Sequence, residues 1–290
     1  PSPISANRAK RQMMHFEVHG RTDPEAPTIL LSSGLGGSGS YWAPQIEALS
    51  DHFRIVTYDH RGTGRTGGEV PLEGGISAMA DDVLEIASAL NLEKFHFMGH
   101  ALGGLIGLDI ALRQPGLIDR LVLINAWSKA DPHSGRCFDV RIELLEKSGV
   151  EAFVKAQPLF LYPAAWMSDH QERLARDDAH GVAHFQGKAN VLRRIAALRG
   201  FDVDTRLGEI GIPLREVRAP VMWAQVLHGT NLANIVNGVR VHPRVVAERF
   251  DLAVVSQAYA AGDIEDGAIV DHHARLSGLD LVVDPKFAGA

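Results

Sequence analysis

The sequence predicts an α/β protein with a mainly parallel, doubly wound sheet. Short apolar runs alternate with amphipathic stretches of helical period, and glycine-rich turns follow several of the runs. The chain has 290 residues, of which 46% are hydrophobic and 22% charged, so it is long enough to bury a full core. We therefore expect helices on both faces of a central sheet.

Five runs in the first part of the chain are predicted strands, because they are rich in β-branched and aromatic residues and bounded by turn residues. They are Met14–Val18, Thr28–Ser32, Arg54–Tyr58, Phe95–Met98 and Leu121–Asn125. A helix is predicted over Ile76–Leu90, where apolar residues recur at helical spacing and Ser77 is expected to form the N-cap. From Arg136 to Leu198 the pattern becomes helical.

We expect three parts in the chain. Residues 1–12 are predicted to be a flexible leader, since they carry basic residues without the apolar stretch of a secretory signal. Residues 13–130 and 200–290 are predicted to form the core. Residues 131–199 are predicted to form a helical lid, inserted after the sixth strand of the sheet.

Composition and charge exclude several classes of function. The formal net charge of −6 and the lack of long basic runs argue against nucleic-acid binding. No apolar run approaches the roughly 20 residues needed to cross a bilayer. Cys137 is the single cysteine and is interpreted as a buried apolar filler, in a cytoplasmic protein. We expect a small-molecule substrate as the partner, with no nucleic acid, membrane, cofactor or metal, and leave a homodimer open.

The segment from Gly99 to Gly104 has the layout of a nucleophile elbow. A strand leads through small residues directly into a helix predicted over Leu105–Leu112, which would expose the central side chain beside the helix N-terminus. That central residue is Ala101, whose side chain has no heteroatom, so a serine-ester route is closed at this position. The backbone N–H of Leu102 is still expected to stabilise an oxyanion. The alternative is a tight strand-to-helix turn without a catalytic role.

Two further glycine-rich loops follow the second and third predicted strands. The loop after Thr28–Ser32 is expected to supply a second oxyanion donor, the N–H of Leu35. In the loop after Arg54–Tyr58, Asp59 and Arg61 are predicted to hold the turn by a charge-assisted hydrogen bond.

The same glycines permit a second interpretation. Gly34, Gly36 and Gly39 spell G-x-G-x-x-G after a strand, which is typical of NAD(P)-binding oxidoreductases. Against it, another predicted strand precedes the motif, and Pro44 lies where the phosphate-binding helix should already be running.

Further candidates for the site follow from their side chains. His100 is a candidate general base, or else a structural histidine beside the sheet. Trp127, Phe160 and Trp166 are expected either to wall a small pocket around Gly34 and Ala101 or to pack the lid on the core. A serine esterase would instead need Ser33 or Ser38 to reach a histidine.

Several longer strings resemble the RutD family of the α/β-hydrolase superfamily, over about residues 28–213. They are Ser33–Trp42, Tyr58–Gly64, Gly99–Gly103 with its alanine, Arg136–Phe138, Ala156–Ala164, Trp166–Met167 and His184–Lys188. The resemblance implies an α/β-hydrolase fold and hydrolysis of a small C–N intermediate of uracil degradation, either aminoacrylate or carbamate.

The carboxyl part departs from that family. Neither the acidic turn nor the Gly-Gly-His turn of the family is found, and His228, His242, His272 and His273 lie in other contexts. Of these, His272 is kept as a weak catalytic candidate. The expected mechanism is attack by water on the substrate, with charge stabilised at the N–H groups of Leu35 and Leu102. The alternative is a non-catalytic pseudo-hydrolase that binds a small metabolite.

Overall fold

A computed structural model describes residues 13–162 and 164–210 of the chain. Five strands form one sheet in the order β1-β3-β2-β4-β5. Strand β1 pairs antiparallel with β3, and the other neighbouring strands are parallel. The mainly parallel sheet predicted from the sequence is thus confirmed. The strands are β1 Phe16–Gly20, β2 Thr28–Ser32, β3 Arg54–Tyr58, β4 Phe95–His100 and β5 Ile118–Ile124.

The predicted strands agree with the observed ones, with small shifts in their bounds. Strands β2 and β3 have the predicted bounds, whereas β1 lies two residues later, β4 ends two residues later, and β5 begins three residues earlier and ends one earlier. The helical segment follows β5, so within the described residues five strands precede it instead of the expected six. The predicted leader, residues 1–12, and the carboxyl part from 211 onward, including His272, lie outside the described residues.

Both faces of the sheet are covered, because alternate residues of a strand point to opposite sides. Leu30 packs in the larger apolar cluster, together with buried residues of helices α2 (Gly75–Ala89) and α3 (Leu102–Arg113). Its neighbours Ile29 and Leu31 pack in a second cluster with Leu49 of α1 (Ala43–Ser50). The arrangement is doubly wound, as predicted.

The start of α2 differs from the prediction. The helix begins after Gly74, whose φ of 87° is in the left-handed region, and Ser77 does not cap it. The Ser77 hydroxyl instead donates to the Asp109 carboxylate of α3 over 2.8 Å. The Ser77 side chain therefore bonds to a residue of another helix instead of capping its own, and this bond connects α2 to α3.

A run of helices follows β5, and we call residues 132–200 the helical segment. Asp131 caps its first helix by accepting from the Ser134 N–H over 2.7 Å. Cys137 is half-buried and contacts the ring of His133 at 3.8 Å, so its interpretation as a buried filler is wrong. The helices are α4 Pro132–Glu143, α5 Val150–Ala156, α6 Ala164–Asp169, α7 Gln171–Ala183 and α8 Lys188–Gly200, with a π-helical turn at Leu144–Ser148 after α4.

The helices of this segment differ in burial. Helix α8 buries six residues against the core, whereas α7 buries none. In the part of the chain that the structure describes, no helix is both long and apolar enough to cross a membrane.

The position of β2 determines where the loops meet. It lies between β3 and β4, so the chain passes from one side of β2 to the other after β3. The carboxyl ends of β2 and β4 are neighbours, with Ser32 opposite Gly99. In open α/β sheets a crevice forms at such a switch point. The loop after β2 and the elbow after β4 therefore meet at this crevice.

Candidate active site

The elbow has the geometry that its sequence predicts. Ala101 lies between β4 and α3 with φ 48° and ψ −111°, a strained conformation for a residue with a Cβ atom. Its N–H donates to the Ile124 carbonyl over 2.8 Å, and its carbonyl accepts from Gly104 over 2.9 Å. These bonds to a neighbouring strand and to the following helix hold the apex in place.

Glycines around the apex allow strand and helix to approach closely. A Cβ atom on Gly99 would overlap the Gly103 carbonyl, and one on Gly103 would overlap the Ser32 carbonyl of β2. The backbone contact between β2, β4 and α3 thus has no room for side chains at these positions. It brings the N-terminus of α3 to the end of β2.

Two backbone N–H groups of these loops have no acceptor among the described residues. Leu102 is the first residue of α3, and its N–H makes no hydrogen bond with any described residue. The same holds, within residues 13–162 and 164–210, for the N–H of Leu35. A helix N-terminus favours negative charge, so the Leu102 donor suits an oxyanion.

His100 and Gly34 are brought against Ala101. The His100 ring is 8% exposed and stacks on Tyr41, with 5.1 Å between centroids and 14° between planes. Desolvation first, and Tyr162 second, raise the pKa of Tyr41, so its hydroxyl stays protonated at neutral pH. Tyr41 was not predicted as a site residue, although it lies in one of the family-like strings.

The predicted aromatic wall divides into separate groups. Trp166 stacks between Tyr162 and His170, with ring centroids 4.3 Å and 4.2 Å away. The guanidinium of Arg141 lies 4.6 Å from the centroid of the Phe160 ring. Trp166 and Phe160 are therefore both engaged with neighbours in the helical segment.

Trp127 lies deeper, directly after β5. It is 9% exposed and packs near Phe138 at 6.3 Å between centroids. Its Nε1 is buried and has no hydrogen-bond partner among the described residues. A polar substrate atom would satisfy this donor, which keeps Trp127 a candidate for the pocket.

The loop after β3 is held by charge-assisted hydrogen bonds of Asp59 and Arg61, each of which has partners of its own. The Asp59 carboxylate accepts from the N–H groups of Gly39 and Arg65 over 2.9 Å and 3.0 Å. Arg61 forms a buried ion pair with Asp82 of α2 at 2.6 Å. The loop is thus fixed to two elements at once.

The serines considered for an esterase do not form a serine–histidine pair. Ser33 Oγ is buried and has no hydrogen-bond partner in the described part of the chain, and Ser38 Oγ contacts Ser40 Oγ at 2.8 Å. Over the same residues, no group of three or more His, Cys, Asp or Glu side chains is arranged to hold a metal ion.

Polar residues of the helical segment bind the site loops, and the sequence analysis missed them. Gln186 Nε2 donates to the Leu35 carbonyl over 3.1 Å, and Asn190 Oδ1 accepts from the Val70 N–H over 2.9 Å. Arg194 of α8 is fully buried. Polar residues on an amphipathic helix normally face solvent, so the sequence pattern gave no sign of these contacts.

Comparisons with known proteins agree with this architecture. The α/β-hydrolase fold family matches residues 27–146. An enol-lactonase from Burkholderia xenovorans is similar at a TM-score of 0.61 and 28% identity, over 69% of this chain and 75% of that one. A hydrolase from Pseudomonas aeruginosa is similar at a TM-score of 0.60 and 28% identity, over 68% of this chain and 72% of that one.

Two proteins compared by sequence share a higher identity with this chain than these two solved structures do. RutD of Agrobacterium fabrum, assigned as a carbamate hydrolase, is 92% identical over 201 residues, which are 69% of this chain and 77% of that protein. RutD of Rhizobium rhizogenes, with the same assignment, is 80% identical over 200 residues, 69% and 76% of the two chains. The chain thus belongs to the RutD family of α/β-hydrolase-fold proteins.

Proposed function

We propose that the chain is a hydrolase of pyrimidine utilisation that cleaves the C–N bond of a small substrate, carbamate or aminoacrylate, by direct attack of water. Relatives assigned as carbamate hydrolases support the substrate class. The absence of a nucleophile at the elbow supports the attack by water.

The geometry at Ala101 carries this proposal. The backbone keeps the strained elbow conformation, and the Leu102 N–H at the start of α3 has no acceptor among the described residues. The side chain at the apex is only a methyl group. A methyl group is smaller than the hydroxymethyl group of a serine, so a water molecule or a substrate atom would take the place of the hydroxyl, beside a donor suited to developing negative charge.

For carbamate the reaction balances as carbamate plus water giving bicarbonate and ammonia. Water forms a C–O bond at the carbamate carbon, the N–H groups of Leu35 and Leu102 stabilise the oxyanion, and the C–N bond then breaks. The departing nitrogen takes up the proton that water loses. His100 is the candidate for moving that proton, since its ring lies against Gly34 and next to Ala101.

Aminoacrylate fits the same arrangement. Water adds to the carbon that bears nitrogen in the imine tautomer, and ammonia leaves as the carbonyl compound forms. Gly34 and Ala101 would form the floor of the pocket and Trp127 its wall, whereas Phe160 and Trp166 would belong to the lid that covers it. Residues 131–199 would act as the lid that limits the access of bulk water.

Ammonia release tests the proposal. Purified protein is supplied with carbamate or with freshly generated aminoacrylate, and each rate is compared with the uncatalysed rate. An Ala101→Trp variant fills the pocket, and Ala175→Trp, at an exposed site on α7, is the matched control. We expect acceleration that Ala101→Trp abolishes and Ala175→Trp retains, with no labelling by a fluorophosphonate.

Other outcomes reject the proposal. Labelling by the fluorophosphonate would indicate a serine nucleophile at another position. A folded protein that accelerates neither reaction would instead be a pseudo-hydrolase that binds a metabolite.

A further inference from the structure

Arg194 is a buried cation without a carboxylate partner among the described residues. It lies on α8 and is 0% exposed. Its Nη1 donates to the Leu35 carbonyl over 3.1 Å, and its Nη2 donates to the Arg61 carbonyl over 2.8 Å and to Thr63 Oγ1 over 2.6 Å. Buried charges are normally paired with an opposite charge. This one is directed at two backbone carbonyl oxygens and a threonine hydroxyl in the loops after β2 and β3.

The guanidinium keeps its charge and its position. Burial lowers the pKa of Arg194 to about 10, so the group remains protonated at neutral pH. A Cβ atom on Gly37 would lie 2.8 Å from Nη1, which shows how closely the loop after β2 surrounds the guanidinium. Charged donors form stronger hydrogen bonds than neutral ones, so the bond to Leu35 is a firm restraint.

The peptide groups on both sides of Leu35 are held. The Leu35 carbonyl accepts from Arg194 and also from Gln186 Nε2 over 3.1 Å. The Gly34 carbonyl accepts from the Gly37 N–H over 3.0 Å. The Leu35 N–H belongs to the peptide group that includes the Gly34 carbonyl, so its direction is fixed by these three bonds together.

We propose that Arg194, assisted by Gln186, is a positioning residue that orients the Leu35 N–H as an oxyanion donor. The inference rests on the proposed function. Arg194 acts through the backbone of Leu35 and does not touch the substrate. Helix α8 is then part of the catalytic apparatus, because it carries the group that holds an oxyanion donor in its reactive direction.

Steady-state kinetics of ammonia release test this role. In Arg194→Lys the charge remains but the planar fork is lost, and in Gln186→Met the side chain keeps its length but loses the donor. We expect kcat to fall about tenfold in each variant, with KM changed less than about twofold, since a misdirected donor weakens transition-state binding selectively. Arg193→Gln is the matched control, because Arg193 bonds to Glu69 and the Val70 carbonyl instead.

Arg193→Gln is expected to keep the kcat of the wild type. An unchanged kcat in folded Gln186→Met and Arg194→Lys would overturn the proposal. So would a change confined to KM. The melting temperature of each variant identifies loss of folded protein, and Gln186→Met keeps the test valid if Arg194→Lys does not fold.

Amide chemical shifts provide a second readout that does not depend on turnover. The Gly36 N–H shares a peptide group with the Leu35 carbonyl, so losing a donor on that carbonyl should move the Gly36 amide proton upfield in Gln186→Met and in Arg194→Lys. Arg193→Gln should leave it in place. An unmoved Gly36 signal overturns the inference. Shifted signals in a protein without turnover would show that the contact exists while the proposed function, and with it the catalytic role, fails.

Discussion

Gly34 lies against the imidazole of His100, so closely that a Cβ atom on Gly34 would be 3.0 Å from Nδ1. The same atom would be 3.5 Å from the Cβ of Ala101. One residue of the loop after β2 and two at the end of β4 thus lie so close together that a single added methyl group would touch both neighbours. The floor of the candidate site is set by this contact, and a larger residue at position 34 would have to displace the His100 ring.

Gly34→Ala is expected to lower kcat/KM by about tenfold, roughly 1.4 kcal/mol of transition-state stabilisation, because the added methyl group displaces the His100 ring. Stability should change little, since His100 can tilt by a few tenths of an ångström. The measurement is ammonia release alongside thermal unfolding. Gly36→Ala is the control, as a Cβ atom there meets no atom within 4 Å. Equal activity in the two variants would contradict the arrangement of the site.

Gly103→Ala is expected to destabilise the fold by about 1–3 kcal/mol or more, because its Cβ would overlap the Ser32 carbonyl where β2 and α3 meet. Gly135→Ala should do the opposite. Gly135 lies inside α4 with open space around it, so alanine should stabilise by about 0.5–1 kcal/mol. Urea denaturation measures both changes, and two changes of the same sign would argue against the packing described.

Asp82→Asn is expected to cost about 3–5 kcal/mol, because it leaves the buried Arg61 guanidinium without its carboxylate partner. The exposed pair of Glu143 and Lys147, at 2.6 Å on the helical segment, is the comparison. Glu143→Gln should cost less than about 1 kcal/mol, since water screens that pair. Free energies of unfolding at low ionic strength check the difference, and comparable costs would show that burial does not set the strength of the Arg61–Asp82 pair.

Acid should destabilise the protein through His60. Desolvation, and secondarily the charge of Arg194, hold the pKa of His60 well below its usual value. Between that lowered pKa and the unfolded value of about 6.5, the unfolded chain binds the proton and the folded chain does not. The stabilising contribution is thus fully present above about pH 6.5 and is lost as pH falls below it.

The free energy of unfolding, measured from pH 7 to pH 5, should therefore decrease toward acid. His60→Gln should flatten that dependence, although it also removes the stacking of His60 on Tyr58 at 4.8 Å. His180→Gln, on the exposed surface of α7, should leave the slope of the wild type. An unchanged slope in His60→Gln would exclude this histidine as the source.

The sequence predicted the elements that local pattern specifies. Strands β2 and β3 are buried runs bounded by turn residues, and the elbow is specified by small residues between a strand and a helix. Ser77 was assigned wrongly because a side chain that can cap its own helix can also bond to Asp109 on another. The burial of Arg194 depends on carbonyl groups more than 130 residues away in the chain, which helical periodicity does not reveal.

The unequal burial along the helical segment has a consequence for its motion. Helix α8 shares the core with the sheet, so its amides should exchange with solvent only when the whole domain unfolds. Helix α7 has no buried residue, so its amides should exchange through local opening, which needs far less free energy than global unfolding. Gly187 lies between these two helices, and its φ of 89° is a conformation that glycine adopts without strain. We therefore expect α7 to open without α8, so that Leu35 keeps its bond to Arg194 while α7 moves.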